Sequence, residues 1–476
     1  MIEKLKIVAI GNPFQFLGGG QRRTYEVLKH YPELGADVVL YIPPSQLVLT
    51  RALQEYFHIN EKILYEDLEG LERCGVYVHE STSTYLEKMN EQVVKYLNVL
   101  RRGGIMWVLD NFKRLIPPND RDAIMFCKNL LKNDETFMKM MSKARAVYVM
   151  DNFLDMIQAG RFLSQTIKVP LFVLLQSIPV SSLKNFVKNE WVNNVVLGGK
   201  SPLRTLFRIA IRTLEQGYFK YKTLFTYNNA SETLVALLSV SEAPIKLSNL
   251  GVWASRNNIP IKILVPGNAV SQDIGEYYKE RERILKMKED YAIFYARLGV
   301  SKGILEIPLI AKKLEKAGYR LILVGRFDSV NVKRRFERMC RELSVKNIKY
   351  VGYLPPDKRL WEIVAKSKVL IYPSHHDTFS LVVLESLCLG TSVVAYNIPA
   401  ITSLYRNLPA VRIVEEYDYK NMAEKAIEIL KMDLNTFREE HTDRNLLSFL
   451  DLHCSWRNVA KEEIDTIRKF VGSNIR

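Results

Sequence analysis

Long apolar runs are missing from this sequence. No stretch approaches the ~18–20 residues that a membrane-crossing helix needs. The opening MIEKLKIVAIGNP has neither the apolar length nor the small-residue cleavage site of a secretory signal. It reads as a first β-strand, and the expectation is a cytoplasmic protein. Cysteine is sparse: Cys74, Cys127, Cys340, Cys388 and Cys454 are scattered with no C-x-x-C pair. That pattern argues against a disulfide framework and a thiolate zinc site, and it fits a reducing compartment. Low-complexity linkers and short solenoid repeats are absent as well.

Positive charge is abundant. The chain carries 68 Lys and Arg against 52 Asp and Glu, a net +16, which favours anionic partners: nucleotides, sugar diphosphates, phospholipid surfaces or nucleic acid. Charge alone does not choose among these. The 476 residues, 47% hydrophobic and 25% charged, suit a globular protein of two or three domains.

Short apolar strands alternate with helical patterns in both halves. LKIVAI, ADVVLYI, GVYVH, GIMWVL, AVYVM and LFVLL punctuate the first, and YAIFYA, RLILVG, IKYVGY, KVLIYPS and SVVAY the second. Such alternation predicts parallel sheets covered by helices, hence an α/β chain of two doubly wound domains. We expect residues 1–270 to form the first domain and 271–450 the second, with a C-terminal helix in 451–476 packing back on the first. The change-over falls at roughly 267–290, where the charged helix EYYKERERILKMKED is expected on the surface.

One segment, residues 182–222, departs from the alternation. Arg204, Arg208 and Arg212 recur every fourth residue and share a helix face, while Leu203, Leu206, Phe207, Ala210 and Leu214 supply an apolar side. The plainer expectation packs the apolar side on the chain's own domain and leaves the arginines in water. The alternative rests the helix on an anionic membrane.

Three motifs carry chemistry. After the first strand, GNPFQFLGGGQRR places Gly18, Gly19, Gly20 and Gln21 at a helix start, where backbone N–H groups can approach phosphate. The contiguous glycines, and a second strand ending without an acid, argue against a dinucleotide site. In ARLGVSKG, Arg297 and Lys302 follow a buried strand and precede a helix, the place where open α/β sheets bind ligands. An arginine fork and a lysine point charge can together hold a diphosphate. Third, DTFSLVVLESLCLG opens a helix near Ser380 and Leu381 that has almost no polar face yet carries Glu385, while Cys388 reads as packed support. A buried carboxylate needs a partner, and ribose hydroxyls or a basic side chain would serve.

Together, the Gly-rich loop, R-x4-K and acid-x7-Glu resemble the retaining glycosyltransferases of family four, which have the two-domain GT-B fold. The likeness is strongest from Tyr295 to Ala395. It implies two Rossmann-like domains facing across a cleft, with the nucleotide-sugar donor on the second and the acceptor on the first, near Gly18 to Gln21. It implies that Arg297 and Lys302 bind the diphosphate, that Glu385 holds the ribose, and that the backbone from Phe379 through Ser380 to Leu381 contacts phosphate or sugar. Gly352 and Leu354 would flank the base. Asp377 stands where the family has a glutamate, one methylene longer, and is expected to touch the transferred sugar. In VPLFVLLQSIP, Gln176 replaces a histidine near the reacting sugar; it can share hydrogen bonds but cannot become a cation. AYNIPAITSLY lacks the family's Gly-Gly-x-x-Glu-like ending.

The resulting expectation is a retaining, metal-independent enzyme without a cofactor, moving a sugar from a UDP- or GDP-sugar to a glycan or lipid-linked hydroxyl. Arg204, Arg208 and Arg212 would offer a membrane contact at the inner face, and nucleic acid is not expected as a partner. Two rivals remain: an epimerase-like enzyme on the same fold, for which the few histidines, His375 and His376 aside, offer little acid–base support, and a non-catalytic sugar-nucleotide or nucleic-acid binder.

Overall fold

The computed structural model describes residues 4–78, 141–178, 183–197, 201–248 and 250–473, with isolated positions 94, 97, 98, 137 and 139. The expected strand GIMWVL, residues 104–109, and Cys127 lie outside the described residues, as do residues 182 and 198–200 of the basic segment.

Two parallel sheets organise the chain. The first contains β1 (Leu5–Ile10), β2 (Ala36–Tyr41), β3 (Val76–Val78), β4 (Ala146–Val149), β5 (Leu171–Leu175), β6 (Leu234–Ser239) and β7 (Ile261–Ile263), in the order β3-β2-β1-β4-β5-β6-β7. The second contains β8 (Glu289–Tyr295), β9 (Arg320–Val324), β10 (Ile348–Gly352), β11 (Ser367–Tyr372), β12 (Ser392–Tyr396) and β13 (Val411–Val414), in the order β10-β9-β8-β11-β12-β13. Strands such as β4 and β11 are buried at every position because helices cover both faces. In each sheet the order reverses beside its first strand, between β1 and β4 and between β8 and β11. Loops leaving the carboxyl ends of those strands diverge there and open a crevice.

The last helix, Trp456–Ser473, lies on the first, Gly19–His30. Wholly buried, Arg23 pairs with Glu463, which also accepts from the Tyr31 hydroxyl, while Arg23 Nε donates to the Gly267 carbonyl at 2.9 Å. One ion pair thus ties the start of the chain, the change-over segment and the C-terminal helix.

Two expectations need correction. The charged stretch at 276–290 is not one surface helix: it spans the end of the helix Gln272–Lys279, the helix Arg281–Lys286 and, at Glu289 and Asp290, the start of β8. Arg281, Ile284 and Leu285 are buried, because Arg281 satisfies carbonyls beneath the second sheet's helices. The basic segment folds into Leu183–Trp191 and a 29-residue helix, Pro202–Ala230. That helix turns its apolar stripe outward, and Arg208 and Arg212 reach Glu190 instead of water alone.

Candidate active site

On the second domain the site grows from the ends of β8 and β11. Gly303, at φ +77°, closes the loop after β8, and a Cβ there would stand 2.1 Å from the Pro373 carbonyl oxygen. Only glycine lets the Arg297–Lys302 loop press against the loop after β11. Lys302 Nζ then lies 2.8 Å from Asp377 Oδ2 and 3.3 Å from the Tyr372 hydroxyl. Arg297 Nε lies 3.2 Å from Asp328 Oδ1, with its side chain 40% exposed and able to reach a ligand.

Asp377 is more committed than the sequence suggested. Its Oδ2 accepts from Lys302 and from the Tyr372 hydroxyl, and its Oδ1 from the backbone N–H groups of Thr378 at 2.9 Å and Ser380 at 3.3 Å. These contacts use the acceptor capacity of a carboxylate. Burial pushes its pKa up, but Lys302 and these donors outweigh that and hold it well below the usual carboxylate range.

The helix Leu381–Cys388 starts from Ser380 in the left-handed region, φ 67°; the N–H groups of Val383 and Leu384 bond the Ser380 carbonyl, and those of Leu381 and Val382, ahead of the first such bond, have no acceptor within the helix. Buried polar groups fix its axis. Tyr295 donates to the Val382 carbonyl at 2.8 Å and Tyr405 to the Phe379 carbonyl at 3.0 Å. Arg281 donates to the carbonyls of Leu387 and Cys388, and Lys288 to that of Leu389 at 3.0 Å. Arg281 and Lys288 thus satisfy the C-terminal carbonyls, with burial and the neighbouring Arg281 holding the Lys288 pKa well below the usual lysine range, and the N-terminal end is left to attract an anion.

Glu385 is buried in this helix, and its partner comes from the other domain: Arg22 Nη1, 3.4 Å away. Burial raises its pKa to about 7 despite the opposing pull of Arg22. The first-domain loop also meets this helix. A Cβ on Gly19 would lie 3.2 Å from Leu381 Cδ1, and one on Gly20 would lie 3.2 Å from Gln176 Oε1 and 3.5 Å from Asp151 Oδ2. Gly18, at φ 153°, turns the chain into the helix, where Gln21 occupies its first turn. Gln176 follows β5 beside this loop, and its side-chain amide donates to the Met150 carbonyl and, at 3.4 Å, to Thr24 Oγ1.

At the far side of β8, Gly352 closes β10 at φ +91° and its carbonyl accepts from Gly325 N–H at 2.8 Å. Leu354 is buried nearby, while Tyr353 is exposed with the Arg326 guanidinium 5.0 Å from its ring centroid. That guanidinium also lies 4.6 Å from the ring of Phe57 in the first domain.

Sequence reasoning missed several partners. Arg22 stood in the quoted loop beside Gln21 and could have been weighed; Asp328, Tyr372 and Arg281 gave no local signal. His375 has two partners that gave no local signal: its Nε2 lies 2.6 Å from Glu306 and its Nδ1 2.8 Å from Glu416. Burial pulls its pKa down, but the two carboxylates outweigh that and raise it to about 9. Lys188 and Asn189 of the first domain bind Glu416 and the Tyr417 hydroxyl at 2.7 and 2.6 Å, so this cluster bolts the site loop to the neighbouring domain. Among the described residues no group of three or more His, Cys, Asp or Glu is placed to hold a metal ion.

Residues 277–444 match the family model of the glycosyl transferases group 1. The chain is 24% identical over 216 residues, 44% of its length, to the uncharacterized glycosyltransferase MJ1607 of Methanocaldococcus jannaschii. It is 31% identical over 106 residues, 22% of its length, to the D-inositol 3-phosphate glycosyltransferase of Acidothermus cellulolyticus. These matches span 54% and 23% of the two relatives' lengths. The Anabaena protein Alr3699/HepE, solved with UDP and glucose, shares the fold at TM-score 0.57 and 13% identity, over 98% of this chain and 100% of that one. The architecture is therefore GT-B, and the domain that carries Arg297, Lys302 and Glu385 is similar to the glycosyl transferases group 1.

Proposed function

We propose that this chain transfers a glycosyl group, with retention, from a nucleoside-diphosphate sugar to an acceptor hydroxyl. The observation that carries the reading is the meeting of two switch points. Arg297, Lys302 and the start of the Leu381–Cys388 helix converge at one, the Gly18–Arg22 loop faces them from the other, and Arg22 touches Glu385 between. Two cations and a helix N-terminus suit a diphosphate, and a buried carboxylate suits ribose hydroxyls. The base would lie along Gly352–Leu354, beside Arg326 and Tyr353. A UDP- or GDP-sugar is the expected donor, and the similar fold that holds UDP and glucose supports that choice.

The bond from the anomeric carbon to the diphosphate oxygen breaks as the acceptor oxygen bonds to that carbon from the same face. The acceptor proton passes to the departing phosphate oxygen. Arg297 and Lys302 balance the growing negative charge. Asp377, with its lone pairs engaged, acts as a positioning residue: it orients Lys302 and the amides leading into the helix. Gln176 and the Gly18–Gln21 loop border the acceptor side, which suits a glycan or lipid-linked hydroxyl. Because the two side-chain cations carry the charge balance, turnover should persist in chelator.

The test is calorimetric titration of UDP, GDP and ADP into wild type and Lys302→Ala, followed by turnover of the matching sugar conjugates. One diphosphate should bind selectively and lose most of its affinity in the variant. Equal binding by both proteins, or no binding at all, would overturn the reading.

A further inference from the structure

The 202–230 helix carries an apolar face that no described residue covers. Leu203, Phe207, Leu214 and Tyr221 are 78, 71, 76 and 66% exposed, and Leu206, Ile211, Tyr218 and Phe225 are exposed beside them. At 100° per residue these eight fall within one sector that runs the length of the helix, about 33 Å from Leu203 to Phe225. A continuous stripe of this size marks an interaction surface.

The helix's charge selects the partner. Arg204 and Lys222 lie along one border of the stripe and Lys220 beyond the other, while Arg208 and Arg212 are held by Glu190. The sequence of this helix has five Lys and Arg against a single acid. A second copy packed stripe to stripe would bring these cations together, whereas an anionic lipid surface would neutralise them. Tyr218 and Tyr221 pair apolar rings with polar tips, the side-chain type enriched at membrane–water interfaces. No described helix is long and apolar enough to cross a membrane, so the helix would lie in the plane of the interface.

We infer that this stripe docks the protein on an anionic membrane surface. The geometry also links the stripe to the site. Glu190 joins it to the Leu183–Trp191 helix, whose Lys188 binds Glu416, and Glu416 holds His375 two residues from Asp377. The inference does not depend on the proposed transferase activity, since it concerns a different face.

The full chain should co-sediment with phosphatidylcholine vesicles containing phosphatidylglycerol and bind pure phosphatidylcholine weakly. Replacing Phe207, Leu214 and Tyr221 together by Ser should lower partitioning on the order of a thousandfold, because each exposed ring or branched chain contributes roughly a tenfold factor. Thermal unfolding and diphosphate binding should stay unchanged. Arg204→Glu with Lys222→Glu should abolish the preference for anionic vesicles, and Leu214→Trp should shift its emission to the blue when anionic vesicles are added.

Wild type that stays in the supernatant, or a triple variant that sediments as well as wild type, overturns the inference. So does a wild-type dimer that the triple variant converts to monomer without any lipid binding. A Leu214→Trp emission already blue and unmoved by vesicles would show the stripe covered by the chain itself, and overturns it too. Loss of diphosphate binding with lipid binding intact would strike the proposed activity alone.

Discussion

Glu385 titrates near pH 7 because burial outweighs its contact with Arg22, so its charge switches between about pH 6 and pH 8. If ribose hydroxyls donate to it, the donor binds the ionised carboxylate and must displace Arg22. With a pKa of about 7, roughly a tenth of the protein is ionised there at pH 6 and nine tenths at pH 8. Affinity for the cognate nucleoside diphosphate should therefore rise about tenfold between these pH values from this group alone. Calorimetry on wild type and Glu385→Gln isolates the term, since the nucleotide's own titration is common to both. Glu385→Gln should bind more weakly at pH 8, by about 1.5–3 kcal/mol for one charge-assisted hydrogen bond. The two proteins should converge toward pH 6. A constant ratio across pH, or unchanged affinity in Glu385→Gln, refutes the ribose assignment. The fold reports the same group with the opposite sign. A carboxyl raised from 4.5 to about 7 contributes most below pH 4.5 and loses about 3 kcal/mol as pH rises through 7. Glu385→Gln should therefore gain stability relative to wild type in denaturant titrations between pH 5 and pH 8.

Other perturbations separate positioning from stability. Lys302→Ala leaves the Asp377 carboxylate without its cation and should cost about 3 kcal/mol in denaturant titration; adding Asp377→Asn should restore part of that stability while turnover stays lost. The low pKa of Asp377 makes its stabilising contribution full above about pH 4 and lost on further acidification, so Asp377→Asn should flatten the acid limb of the wild-type stability curve. Gly303→Ala forces a methyl group against the Pro373 carbonyl at a positive φ, and should lower stability by about 1–3 kcal/mol while weakening diphosphate binding in calorimetry. Glu463→Ala strands the buried Arg23 and should lower the midpoint of thermal unfolding, with a loss of about 3–5 kcal/mol.

Much of the architecture was legible because its signals are local. Apolar runs of five or six residues separated by helix-length segments specify strands buried on both faces, and the structure places LKIVAI, ADVVLYI, AVYVM, LFVLL, YAIFYA, RLILVG and KVLIYPS in parallel sheets. Glycine before a helix and R-x4-K after a strand were legible for the same reason, since backbone conformation and strand ends are written in neighbouring residues. The Pro202–Ala230 helix was legible as an amphipathic helix, but its orientation was not. Periodicity says that one side is apolar and does not say what lies against it.

The amino-acid sequence alone determined the two doubly wound sheets, the strand ends at which Arg297 and Lys302 sit, and the opening of the helix that carries Glu385. Tertiary structure alone decided the partners. Asp328 meets Arg297 from 31 residues away, Asp377 meets Lys302 from 75, and Arg22 meets Glu385 from 363. A pattern within one segment fixes backbone shape and which face is apolar. The state of a buried charge depends on which opposite charge the folded chain brings within a few ångströms, and that distance exists only after the domains have packed.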